Sequence, residues 1–184
     1  MIITKFFCSL LLGFLCCIVS NSCAGSSRRD RDGRYTGAGL GLVYAVPLDW
    51  IRATSDSSNK ELVLAPLSLP SDSHPKISVS IFSRFDSRYP RSQSGCATSY
   101  KDGIASVTDE NIEMEKMPRN VTSPEFGQIA QYRYHSDYYG DNLVSFIIAD
   151  DHFISVELWA VNEVQRRKFE QIFADFVKSI KVSE

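Results

Sequence analysis

Hydrolysis through a covalent intermediate needs a nucleophile, a base and an acid that orients the base, and this chain holds few residues for the first two roles. Cys8, Cys16, Cys17 and Cys23 crowd the N-terminal residues, which leaves Cys96 alone in the body of the chain. Cys96 falls at the start of an expected helix, whose positive end would lower a thiol pKa. The histidines are His74, His135 and His152, and the first or second of these is a conceivable base. No Gly-x-Ser-x-Gly elbow occurs. Nothing in the spacing brings these partners together, so a buried, inert Cys96 is the stronger reading, beside the alternative of a Cys- or carboxylate-dependent hydrolase.

Two other chemistries have candidate residues. His135, Asp137 and Asp141 fall in one connection and Asp150, Asp151 and His152 in the next, all residue types that ligate divalent metals. Successive turns of a meander lie at opposite ends of a sheet, one strand or roughly 20 Å apart, so the two groups do not combine. Each group also has the composition of a tight turn, and neither a metal nor another cofactor is expected. Gly37-Ala38-Gly39-Leu40-Gly41 precedes a strand, where a phosphate loop would follow one and open a helix; it reads as a hinge.

Aromatic residues gather late in the chain. Tyr132, Tyr134, Tyr138, Tyr139 and Trp159 fall on or beside three strand-like runs, and the two-residue period puts Tyr132 and Tyr134 on one face. If the closing helix leaves that face open, these five form a ligand or partner surface. If a helix covers it, they are core with hydroxyls at the rim.

Stepping along the chain from its start, one lysine precedes an apolar run over residues 6–19, the order of a secretory signal peptide. The run is shorter than the ~20 residues that a membrane span needs. Small residues Ser22 and Ala24 suit cleavage near residue 24, while Cys23 suits lipidation as in a bacterial lipoprotein, although Ser20 stands where that pattern has Leu. Both readings stay open, beside a leader that is retained; without lipidation, cleavage after Ser22 would leave Cys23 able to pair with Cys96. Either way the chain is expected to be exported: periplasmic or secreted, or an outer-membrane lipoprotein if Cys23 is modified.

The formal net charge of the 184 residues is -2, with cations clustered only at Arg28, Arg29, Arg31 and Arg34 and at Arg166, Arg167 and Lys168. That distribution argues against nucleic acid. The first cluster sits within residues 25–39, a Ser-, Gly-, Asp- and Arg-rich stretch expected to be a flexible tether. Residues 40–184 make one domain, large enough to bury a core without disulfides or metal.

Within that domain, Leu42, Tyr44 and Val46 alternate before Pro47, and strands are expected also over residues 50–53, 61–65 and 76–83. Ala97, Tyr100, Ile104 and Val107 recur at helical spacing, interrupted by Gly103. Ile112 and Met114 mark a short strand and residues 118–124 a loop. Residues 126–135, 143–149 and 153–160 predict an antiparallel meander. Asn162 is a candidate N-cap with Gln165 three residues on, opening a helix striped by Val164, Phe169, Ile172, Phe173, Phe176 and Ile180. The fold class is α+β: an antiparallel β-sheet with a meander, flanked by a central and a C-terminal helix.

Val46-Pro47-Leu48-Asp49-Trp50 after the first strand, the central helix, the meander and the closing Phe176-Val177-Lys178-Ser179-Ile180 together resemble the PsbP-like and DcrB-like exported proteins. The resemblance covers residues 40–182. Leu48-Asp49 stands where the family pattern has a small residue or Gly before the tryptophan. What the resemblance implies is an antiparallel sheet flanked by helices and an accessory role without shared catalytic residues. The expectation is therefore an exported, membrane-tethered, non-catalytic accessory or binding protein of the cell envelope. Its partners would be an envelope protein and, through Cys23, the membrane. An oligomeric structural component of the envelope is the remaining alternative.

Overall fold

A computed structural model describes residues 28–29, 35–39, 41–53, 61–69, 74–83, 91–149 and 152–183. The expected signal peptide and Cys23, together with part of the expected tether, lie outside the described residues. In chain order come β1 (Arg28–Arg29), β2 (Tyr35–Gly39), β3 (Leu42–Ala45), β4 (Trp50–Ala53), β5 (Glu61–Pro66), β6 (Lys76–Ser83) and α1 (Gln93–Thr108). There follow β7 (Met114–Lys116), β8 (Val121–Ser123), β9 (Gly127–Ile129), β10 (Gln131–Ser136), β11 (Gly140–Ile148), β12 (His152–Trp159), α2 (Glu163–Ser179) and β13 (Lys181–Val182).

The main sheet runs β4-β5-β6-β12-β11-β10-β7, with every neighbouring pair antiparallel. The expected meander is its β10-β11-β12 part, and β6 pairs with β12 over its whole length, from His152↔Ser83 to Trp159↔Lys76. Alternation then sorts the side chains. Leu143 and Ile147 of β11, Ile154, Val156 and Leu158 of β12, and Ile77 and Val79 of β6 join Phe173, Phe176 and Val177 of α2 in one core. Val144, Phe146 and Phe153 point the other way, where Cys96 and Ala97 of α1 meet Tyr132 and Tyr134 of β10 in a second core. Both faces of the strands are apolar because both are covered.

α2 opens as expected, Asn162 Oδ1 accepting from the Gln165 amide at 2.9 Å, while Gln165 Oε1 accepts from the Val161 amide at 2.8 Å. Its stripe is buried from Phe173 to Ile180, but Val164 at the first turn is exposed. Trp50 packs edge-on against Phe169, ring centroids 5.8 Å apart. The preceding turn closes through the Trp50 amide donating to the Pro47 carbonyl at 3.1 Å, with Asp49 at φ 60°. Asp49 adopts the left-handed conformation that a glycine would adopt at lower cost.

Three expectations are corrected. Residues 35–39, expected to end a flexible tether, form β2, which pairs with β3 from Thr36↔Ala45 to Gly39↔Leu42; Gly41, at φ 70°, makes the turn between them in place of a hinge. Within the expected loop over residues 118–124, β8 pairs with β9 from Val121↔Ile129 to Ser123↔Gly127. The single strand expected over residues 126–135 is therefore two, β9 and β10, with Ala130 between them.

Candidate functional site

The five late aromatics do not form one surface. Tyr132 and Tyr134 share a face, as the period requires, and that face looks away from α2; α1 covers it, and both rings are buried. Tyr100 of α1 meets Tyr134 with ring centroids 6.2 Å apart and Phe146 at 5.6 Å. Tyr138, Tyr139 and Trp159 make a separate edge-to-face chain at the β10-β11 turn, with centroid spacings of 4.8 Å and 5.1 Å. Of these, Tyr138 is exposed. The expected ligand or partner surface is thus corrected for Tyr132 and Tyr134, because a second helix lies over the face that the first leaves open.

Beneath α1 lies a polar group that the pattern of single residues did not single out. Glu157 of β12 is buried, and the Tyr100 hydroxyl donates to its Oε2 at 2.5 Å while the Tyr134 hydroxyl donates to its Oε1. Hydroxyl donors to a carboxylate are among the stronger protein hydrogen bonds. Burial first, and then the charge of Glu157, push the phenols of Tyr100 and Tyr134 far above their ordinary pKa. Next to them Asn142, fully buried, donates to the Tyr139 carbonyl at 3.2 Å and accepts from the Ala160 amide at 3.0 Å. Trp159 Nε1 donates to Ser78 Oγ at 3.0 Å. A carboxylate in the middle of the apolar run over residues 153–160 was the available signal: a strand apolar on both faces has no solvent to give its one acid, so the acid must meet donors.

Cys96 lies in the first turns of α1, its amide donating to the Ser92 carbonyl at 2.9 Å. Burial of the side chain pushes its thiol pKa up to about 11, so desolvation outweighs the helix N-terminus and the group is held as a thiol. The two conceivable bases lie elsewhere. His74 sits before β6, its carbonyl accepting from Gln165 Nε2 of α2 at 3.2 Å, on the far side of the sheet from α1. Burial and then the Lys76 charge hold its imidazole below the ordinary value. His135 is exposed near the end of β10, just before the β10-β11 turn, paired across the ladder with Asp141 of β11.

The turn does bring His135, Asp137 and Asp141 together, with His135 Nε2 3.3 Å from Asp137 Oδ1 and Nδ1 3.4 Å from Asp141 Oδ1. No group of three His, Cys, Asp or Glu side chains among the described residues is arranged to hold a metal ion. Asp150, Asp151 and the side chain of His152 lie outside the described residues. Of the second cationic cluster, Arg166 is buried and paired with Glu170 at 3.1 Å, and Arg167 pairs with Glu163 at 2.8 Å. A shallow cleft of about 660 Å³ runs between α1 and the edge strand β7, lined by Ala97 and Lys101 on one side and Met114 and Tyr132 on the other. No helix among the described residues is long and apolar enough to cross a membrane.

No protein-family model matches the chain, and no curated protein matches it. Among solved structures, the solution structure of cyanobacterial PsbP (CyanoP) from Synechocystis sp. PCC 6803 is similar, with a TM-score of 0.55 and 14% identity over 91% of this chain and 98% of that one. The chain thus has a PsbP-like fold, in line with the resemblance read from its motifs. At that identity the likeness concerns the fold alone.

Proposed function

We propose that this chain is an exported accessory or binding protein of the cell envelope, held at a membrane through Cys23, that works by association and not by catalysis. One observation supports the non-catalytic part: among the described residues, the candidate nucleophile and the buried acid are engaged or shut away. Cys96 is buried with its thiol pKa at about 11, and Glu157 is bonded to two phenols. A nucleophile that stays protonated at neutral pH and a carboxylate without access to water are poor catalysts. The PsbP-like fold supports an accessory role, and the leader with Cys23 supports export and tethering. The oligomeric alternative is left with Tyr138 and its neighbours, since Tyr132 and Tyr134 are not surface residues.

Fractionation of the native host tests this. The wild-type chain is expected in the membrane fraction, released by detergent and not by high salt, and the Cys23→Ser variant is expected to leave that fraction or to accumulate as an unprocessed precursor. Wild-type chain recovered in the soluble fraction at mature size would refute the tether.

A further inference from the structure

We infer that α1 opens from the sheet as a unit of its own, without unfolding of the rest, and that this opening uncovers the aromatic floor around Glu157. The helix is seated differently from α2. Where α2 buries Phe173, Phe176 and Val177, the fully buried residues of α1 are the small Cys96 and Ala97, and its larger apolar contacts, Tyr100 and Ile104, are only partly buried against the same core, so this seat forfeits less apolar burial than that of α2 when it leaves. Along one flank the cleft beside Ala97 and Lys101 already parts the helix from β7 and Tyr132.

Polar clasps hold α1 in place at its start, middle and end. Gln93 accepts from the Ala130 amide at 2.6 Å and donates to the Gln128 carbonyl at 2.9 Å. Tyr100 donates to Glu157 at 2.5 Å. Just past the helix, the Glu110 carboxylate accepts from the Asp137 and Tyr138 amides, both at 3.1 Å. Each of these bonds has water as an alternative partner once the helix lifts, so its net contribution is modest, and largest for the bond from Tyr100 to the Glu157 carboxylate. Gly103 weakens the helix itself, and no neighbouring group requires a glycine there: a Cβ at that position would meet nothing within 4 Å. A helix with a small apolar seat, polar fastenings and a glycine at its centre belongs to the low-stability end of a fold.

Opening would expose Tyr132, Phe146 and Phe153, with Glu157 and Tyr134 at their centre. The inference does not depend on the proposed tether. Its test is the alkylation rate of Cys96 in the full chain by iodoacetamide, followed on the peptide that carries Cys96 as urea is raised. Opening of α1 alone predicts a rate nearly independent of urea at low concentration and unchanged in Phe173→Ala, which lowers global stability from a core that α1 does not share. Gly103→Ala is expected to slow the reaction roughly two- to fivefold, and Tyr100→Phe to speed it about tenfold. A rate that climbs with the full urea dependence of global unfolding, and that Phe173→Ala raises as much as it lowers global stability, would overturn the inference. So would a rate that Gly103→Ala leaves unchanged.

Discussion

At the scale of single residues, burial decides what the chemical groups do. The Cys96 thiol has an ordinary pKa of 9.0 and is pushed up to about 11 in the fold, so between these values the folded state keeps a proton that the unfolded chain loses. Its contribution to stability is complete below pH 9 and is lost as the pH rises through 11, on the order of 2 kcal/mol. The raised phenols of Tyr100 and Tyr134 carry the same sign to higher pH. The urea midpoint is expected to be level from neutral pH to about pH 8.5 and to fall above it, with a shallower fall in Cys96→Ala; urea titrations across that range measure both. Backbone conformation sets two further outcomes. A Cβ on Gly140 would stand 2.2 Å from the Ala160 carbonyl oxygen at φ 84°, so Gly140→Ala is expected to cost about 3 kcal/mol or more. Asp49→Gly is expected to raise stability by about 1 kcal/mol, because Asp49 sits at φ 60°. Thermal melts check both.

At the scale of elements, the length and regularity of the hydrophobic pattern govern what could be read in advance. β6 alternates Ile77, Val79 and Ile81 with serines, and α2 repeats its aromatics at helical spacing behind an Asn cap, so both were legible to within a residue or two. β2 was not, because Tyr-Thr-Gly-Ala-Gly has no apolar alternation and is a strand only by virtue of pairing with β3. β8 was hidden among Pro118, Asn120 and Pro124, where turn composition outweighed three residues whose partners lie in β9. The face of Tyr132 and Tyr134 was legible and its cover was not. The stripe of Ala97, Tyr100 and Ile104 marks α1 as amphipathic but does not say which face of the sheet it covers, and the bond from Tyr100 to Glu157 spans 57 residues of sequence. The contrast between the helices predicts their mutational sensitivity. Phe173→Ala is expected to destabilise the whole fold by about 3–5 kcal/mol, measured as a loss of urea midpoint, whereas Tyr134→Phe is expected to cost about 2 kcal/mol through the donor that Glu157 loses.

At the scale of the whole molecule, one antiparallel sheet is covered on one face by α2 and on the other by α1, and a small sheet of β1-β2-β3-β13 joins the early strands to the one that follows α2. This is a PsbP-like architecture in which, among the described residues, Cys96 and Glu157 are interior and His135 lies exposed near the end of β10. The proposed role, association from a membrane, turns on Cys23. Intact mass spectrometry of the protein extracted from its host's membranes tests it most directly. A mature chain beginning at Cys23 and carrying acyl groups is the predicted result. An unmodified chain beginning at Cys23 or Gly25, or one that retains residues 1–22, would contradict the tether on which the account rests.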